Sequence, residues 1–270
     1  MRTFDYTILP DELIDHEIAH IIAQIKQESK KLEKIKKSTD KLTRKALLSA
    51  IAFTHDVDKK WLENTDLDPL LSGQKEPQTL IEEEILGYFQ AYDLIDENHD
   101  YMHLSPSLLL HIHKEVFRYT PFYGAGSFKF SCAVVLEDIG LNPPNPFETP
   151  TYVENLCKAF NEAIVENKYD PLLLLPVFIL DYLCIYPFSN GTEKVACLLA
   201  YLLLIQSGYS IGRYKSPAEI VLKDKVGFER VRYESSIGWD NGENTYYPFA
   251  KFWLQAILNT YKSALEEGID

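Results

Sequence analysis

The side chains able to do chemistry fall into three groups along this sequence. His16-Glu17-Ile18-Ala19-His20 has the H-E-x-x-H spacing that puts two imidazoles on one helix face, as a zinc site needs. At about 100° per residue that face lies opposite the apolar series Ile14, Ile18, Ile21, Ile25, so it is expected to face solvent. No sheet precedes it to frame a cleft, and the match is read as chance. The other histidines are the second group. His111 and His113 are two residues apart and diverge on a helix, leaving one for the core and one for the surface. His55, Asp56 and Asp58 read as a polar turn. The third group is Tyr186-Pro187-Phe188-Ser189-Asn190-Gly191-Thr192-Glu193-Lys194, which leads into an apolar helical pattern. Ser189-Asn190-Gly191 suits a turn. Thr192 is a good N-cap, and Glu193 in the first turn favours the helix dipole. Lys194 has the charge to meet a phosphate. A phenol with an ordinary pKa of about 10 makes Tyr186 a poor base near neutral pH. It is expected to pack beside Phe188 with its hydroxyl hydrogen-bonded, the alternative being an unusual base or acceptor.

The whole chain bounds these readings. Its 270 residues, 46% of them hydrophobic, can bury a substantial core. A formal net charge of −13 argues against nonspecific nucleic-acid binding. The stretch from Lys26 to Lys45 runs the other way, with nine basic and three acidic residues. It reads as a solvated helix and turn, or else as a docking surface for an acidic partner. Cys132, Cys157, Cys184 and Cys197 form no C-x-x-C pair and are expected to be reduced core thiols. The N-terminus lacks the basic and apolar regions of a signal peptide, and the most apolar stretch, 172–185, is too short to span a bilayer. A soluble cytoplasmic protein without membrane contact is expected.

Helical periodicity covers about 13–37, 42–53, 80–95, 106–117, 152–166, 172–185, 193–207, 217–224, 225–237 and 247–267. Residues 65–77 are a loop. Between the fourth and fifth helices the pattern changes. Gly124-Ala125-Gly126 leads into a β-rich run from Phe128 to Leu136 that suits a short hairpin, and the proline-dense 142–150 follows as an extended loop.

The third group resembles the signature loop of the Fic (Fido) family, His-Pro-Phe-x-Asp/Glu-Gly-Asn-Gly-Arg/Lys-x-x-Arg. Pro187, Phe188, Gly191 and Lys194 match it. Tyr186 stands in place of the catalytic His, Asn190 in place of the metal-binding carboxylate, and Thr192, Glu193 and Cys197 in place of the Asn, second Gly and last Arg. The resemblance extends in order along roughly residues 40–260. Residues 48–53, with Ser49, Ile51, Ala52 and Phe53, resemble the family's inhibitory-helix segment Ser-Ser-x-Ile-Glu-Gly, with Ala52 replacing its glutamate. Gly126-Ser127-Phe128-Lys129 resembles the turn before the family's β-hairpin flap, and Asn142-Pro143-Pro144 the loop after it.

This resemblance implies a mainly α-helical Fic fold with one β-hairpin flap. Residues 1–78 would be a helical extension carrying the inhibitory segment, and 79–270 the core. With the sequence running to Asp270, the winged-helix domain that many longer relatives carry is expected to be missing. In the family the His is the base for transfer of AMP from ATP, the carboxylate holds Mg²⁺, and the glycines open an anion hole at a helix N-terminus. Carried over, Tyr186 takes the catalytic position, Asn190 the metal position, and Gly191, Thr192, Glu193 and Lys194 the phosphate site. Phe128, Lys129, Phe130 and Ser131 take the flap that holds a target protein. ATP and Mg²⁺ are implied only this way. The replacements point to a catalytically degenerate protein with weak or no AMP transfer that retains phosphate or peptide binding. The alternatives are an active transferase with altered chemistry, or an interaction module only.

Overall fold

A computed structural model describes residues 2–35, 44–55, 62, 65–131, 141–216, 218 and 223–267. Among these residues the chain is helical, without strands. We label the main helices α1 (His16–Ile35), α2 (Arg44–His55), α3 (Leu80–Asn98), α4 (Pro106–Val116), α5 (Thr149–Glu166), α6 (Pro171–Ile185), α7 (Thr192–Gln206), α8 (Lys225–Ser236) and α9 (Tyr247–Glu267).

The centre is α6. Every residue from Leu172 to Ile185 is buried, because α5, α7, α8 and α9 all pack around it. A helix apolar on all sides is stable only when enclosed in this way. Its carboxylate, Asp181, is fully buried and satisfied from far along the chain. Trp239 Nε1 donates to it at 2.6 Å, the Tyr6 and Tyr246 hydroxyls also donate, and the Arg2 guanidinium lies 3.5 Å away. Arg2 also packs over the Trp239 ring, 5.0 Å from its centroid. Burial raises the Asp181 pKa and Arg2 opposes the rise.

α1 lies along α9, and α2 packs on α7 and α3, so the N-terminal helices join the same body. α1 starts later than the periodicity predicts. Residues Asp11–Ile14 form a 3-10 turn, Asp15 is extended, and Ile14 is exposed rather than part of the apolar stripe. His16, Glu17 and His20 are exposed, and Glu17 accepts from Tyr247 and Lys251 of α9. The H-E-x-x-H string therefore fastens one helix to another. Among the described residues no group of three His, Cys, Asp or Glu side chains is arranged to hold a metal. No described helix is long and apolar enough to cross a membrane.

The expected hairpin changes most. Residues 128–131 form no strand, and the rest of the hairpin, with Cys132, lies outside the described residues. The backbone N–H of Lys129 donates to Pro187 O at 2.8 Å, and its buried ammonium donates to Ile185 O at 2.8 Å. A β ladder needs successive bonds to one partner strand, whereas this segment is pinned to a loop. The side chains of Ser49 and Phe53, most of the expected helix 217–224, Asp56, Asp58 and part of the Lys26–Lys45 stretch also lie outside the described residues.

Candidate functional site

The loop between α6 and α7 is held from three sides. α6 ends at Tyr186, which takes the left-handed conformation with φ 47°. A non-glycine residue there is strained, and such strain persists only where surrounding contacts impose it. Gly191 follows at φ 80°, and a Cβ on it would lie 2.5 Å from the Phe117 ring. Only glycine meets both demands. Phe188 is fully buried and stacks on the His113 ring, with centroids 3.9 Å apart.

His113 of α4 ties the site together. Its Nε2 lies 2.9 Å from Asn190 O, and its Nδ1 accepts from the N–H of Gly126 at 2.9 Å. One accepted and one donated bond require a neutral ring with the proton on Nε2. Burial agrees, lowering the His113 pKa from 6.5 to about 4. His111 is exposed, so the two histidines divide between core and surface. The spacing separates the two histidines without saying which is buried, and the bridging of two loops by His113 is a tertiary fact that spacing does not carry.

The residues of the loop itself are arranged differently from expectation in three respects. Thr192 is not a side-chain N-cap. The cap position is Gly191, and the buried Thr192 hydroxyl turns back to the Phe188 backbone, 3.3 Å from both its N and its O. Lys194 does not face the loop. It is buried, donates to Glu84 of α3 at 2.8 Å and sits 5.5 Å over the Phe117 ring. Tyr186 packs against the core, but its hydroxyl makes no hydrogen bond among the described residues. Burial first, then the charge of Glu193, pushes its pKa up to about 12.

Glu193, 41% exposed, pairs with Arg232 of α8 at 3.5 Å. Arg232 also meets Glu229 at 3.1 Å. The Tyr182 hydroxyl, one turn before Tyr186, is buried without a hydrogen-bond partner among the described residues. Asn190 is exposed, and among the described residues only its backbone oxygen is engaged. Phe128 stacks on Phe188 at 5.9 Å, while Phe130 and Ser131 are exposed. Ala52 is buried in α2, and its neighbour Ala50 lines a cavity of about 20 Å³ together with Cys197. Burial raises the Cys197 thiol pKa and that of Cys157, the latter to about 12. Glu84, His113, Tyr182 and Arg232 all shape this site and lie about 40 to 110 residues from their partners in it or on the preceding turn, beyond what a motif displays.

No curated protein matches the chain. Among solved structures it is similar to a Fic family protein from Desulfovibrio desulfuricans, with a TM-score of 0.72 at 15% identity, covering 98% of this chain and 77% of the other. A Fic-domain-containing signaling protein from Bacteroides thetaiotaomicron matches at TM-score 0.62 and 16% identity, covering 91% and 97%. Fic-1 from C. elegans matches at TM-score 0.69 and 13% identity, covering 92% and 73%. At these identities the likeness is one of fold. The model of the Fic/DOC family matches residues 103–204, which run from before α4 through most of α7 and include Tyr186–Lys194. The arrangement of helices and the matched segment agree: this chain carries a Fic domain of the Fic/DOC family.

Proposed function

We propose that this is a Fic-fold protein whose nucleotide-transfer centre is closed and whose remaining role is to bind a partner protein. The observation that carries the reading is Glu193. It places a side chain and a negative charge in the first turn of α7, where an incoming phosphate would need open backbone N–H groups and a positive field. The implied Mg²⁺–ATP does not fit the groups present. Asn190 offers a neutral amide oxygen where a hard cation wants a carboxylate, Glu193 is engaged with Arg232, and Lys194 with Glu84. A Tyr186 phenol with a pKa of about 12 is protonated near neutrality and a poor base. Ala52 leaves α2 without an inhibitory carboxylate, which fits a centre with little activity to restrain.

Binding would fall to the segment after Gly126. Phe130 is 71% exposed beside the anchored Lys129, and would offer a partner protein an aromatic side chain to pack against. The test is incubation with labelled ATP and Mg²⁺ or Mn²⁺, with the chain itself and candidate proteins as acceptors. No stable label is expected, and label on Tyr186 or any target would overturn the reading. One observation favours the alternative of altered transferase chemistry: the strained backbone of Tyr186 with its unengaged hydroxyl. Label confined to Tyr186 and lost in Tyr186→Phe would support that alternative.

A further inference from the structure

The first residues of the chain lie on the body without pairing to it along their backbone. Thr3 and Asp5 are exposed, whereas Arg2, Phe4 and Tyr6 turn inward, the alternation of an extended chain. Side chains hold the segment: Arg2 and Tyr6 on Asp181, and Phe4 against the edge of Tyr152 with ring centroids 6.3 Å apart. Among the described residues neither Thr3 nor Phe4 makes a backbone–backbone hydrogen bond. Beside the segment is a cleft of about 510 Å³, the size of a ligand site. Residues 2–6 and Ile8 bound it from the N-terminal segment, and Asp240, Asn241 and Gly242 from the turn after α8. Three of its features have no use within the fold. The Arg2 side chain is 9% exposed, yet its Nε has no hydrogen-bond partner among the described residues. A buried donor of that kind is costly unless an acceptor meets it. Asp5 accepts from Thr7, and Asp240 from Asn142 at 3.5 Å, but neither is in an ion pair among the described residues. Ile8 is 69% exposed at the same cleft.

We propose that this cleft binds an extended peptide of a partner protein, one that alternates apolar and basic side chains. The backbone of Thr3 and Phe4 would pair with the peptide backbone, and a peptide carbonyl would satisfy Arg2 Nε. An extended chain sends successive side chains to opposite sides, so one set can rest on Ile8 and Phe4 while the other meets Asp5 and Asp240. The field of the whole protein, with a net charge of −13, favours a basic occupant and disfavours a second copy of this chain. The cleft shares no residue with the α6–α7 loop or with the segment of Phe130, so the proposal stands apart from the closed-centre reading.

The test is fluorescence anisotropy of the full chain, untagged at its N-terminus, with a short labelled peptide of alternating valine and lysine. Binding is expected, about tenfold or more tighter than for the same peptide with glutamate in place of lysine. Combining Asp5→Asn with Asp240→Asn should weaken it about threefold or more, although the protein keeps most of its negative charge. Ile8→Ser should weaken it as well. The three positions are exposed, and thermal melts establish that the variants are folded. The lysine peptide with N-methyl groups along its backbone keeps its charge and side chains, and is expected to bind about tenfold more weakly. Exchange of the Thr3 and Phe4 amides should slow when the unmethylated peptide binds. Absence of binding, or binding unchanged both in the double asparagine variant and in Ile8→Ser, overturns the site. Equal binding of the methylated peptide, with no slowing of those amides, reduces the contact to adsorption of a cation and overturns the backbone pairing. The labelled-ATP experiment reads separately: transfer by wild type would sink the closed-centre reading, whatever the peptide series gives.

Discussion

At the scale of single residues, His113 and Gly191 make the sharpest commitments. His113 is neutral in the fold, with a pKa near 4 against 6.5 when free. Between those values the unfolded chain binds a proton that the folded chain refuses, so stability falls as pH drops through that window and is fully present above it. The full difference is on the order of 3 kcal/mol. Chemical denaturation at pH 7, 5.5 and 4 should show wild type losing about that much more than His113→Gln; parallel curves would mean that the ring is not held as described. Gly191→Ala combines a positive φ with a contact against the Phe117 ring, and is expected to cost about 2–4 kcal/mol in the same assay. An effect under about 1 kcal/mol would show that the loop can relax. These residues also mark what sequence carries. Gly191 was legible because the turn it serves is local. Thr192 looked like a cap for the same local reason, yet the buried Phe188 backbone competes for its hydroxyl.

At the scale of elements, long helices with clear periodicity were legible. The expected spans 152–166, 172–185 and 225–237 agree with α5, α6 and α8 to within a few residues. The β-rich run after Gly126 was misread in its described part, because alternation predicts a strand but not the partner, and Lys129 is bound to the end of α6 instead. Its ammonium meets the last carbonyls of that helix, where a cation is favoured. Lys129→Met keeps the stem but removes the charge, and is expected to cost about 1–3 kcal/mol and to loosen the loop. Faster hydrogen exchange at Phe188, whose N–H is 3.3 Å from Thr192 Oγ1, would report that loosening. Unchanged exchange would assign Lys129 no role in holding it.

At the scale of the molecule, the ordered resemblance was worth more than the loop alone, since helix order and packing survive where individual side chains do not. The question is whether the scaffold still has room for its implied ligand. If only the loop has changed, the lost groups act as a unit and single reversions should do almost nothing. Tyr186→His, Asn190→Asp, Thr192→Asn, Glu193→Gly and Cys197→Arg together should yield ATP binding and slow self-modification, and Ala52 offers no carboxylate to oppose the new arginine. A folded five-fold variant without ATP affinity would show that the cleft, not just the loop, has been rebuilt. Elsewhere, Arg2→Met leaves the Asp181 carboxylate buried without its cation, an expected loss of about 3 kcal/mol in urea denaturation. Asp181 also bears on how the chain assembles. Its partners are residues 2 and 6 on one side and 239 and 246 on the other. During synthesis, α6 emerges well before Trp239 and Tyr246 exist to meet it, so a charge at the middle of the most apolar helix waits for the last fifth of the chain. Closing such distant contacts is slow. The central helix should thus be among the last elements to gain amide protection on refolding, although it is the most deeply buried once folding is complete.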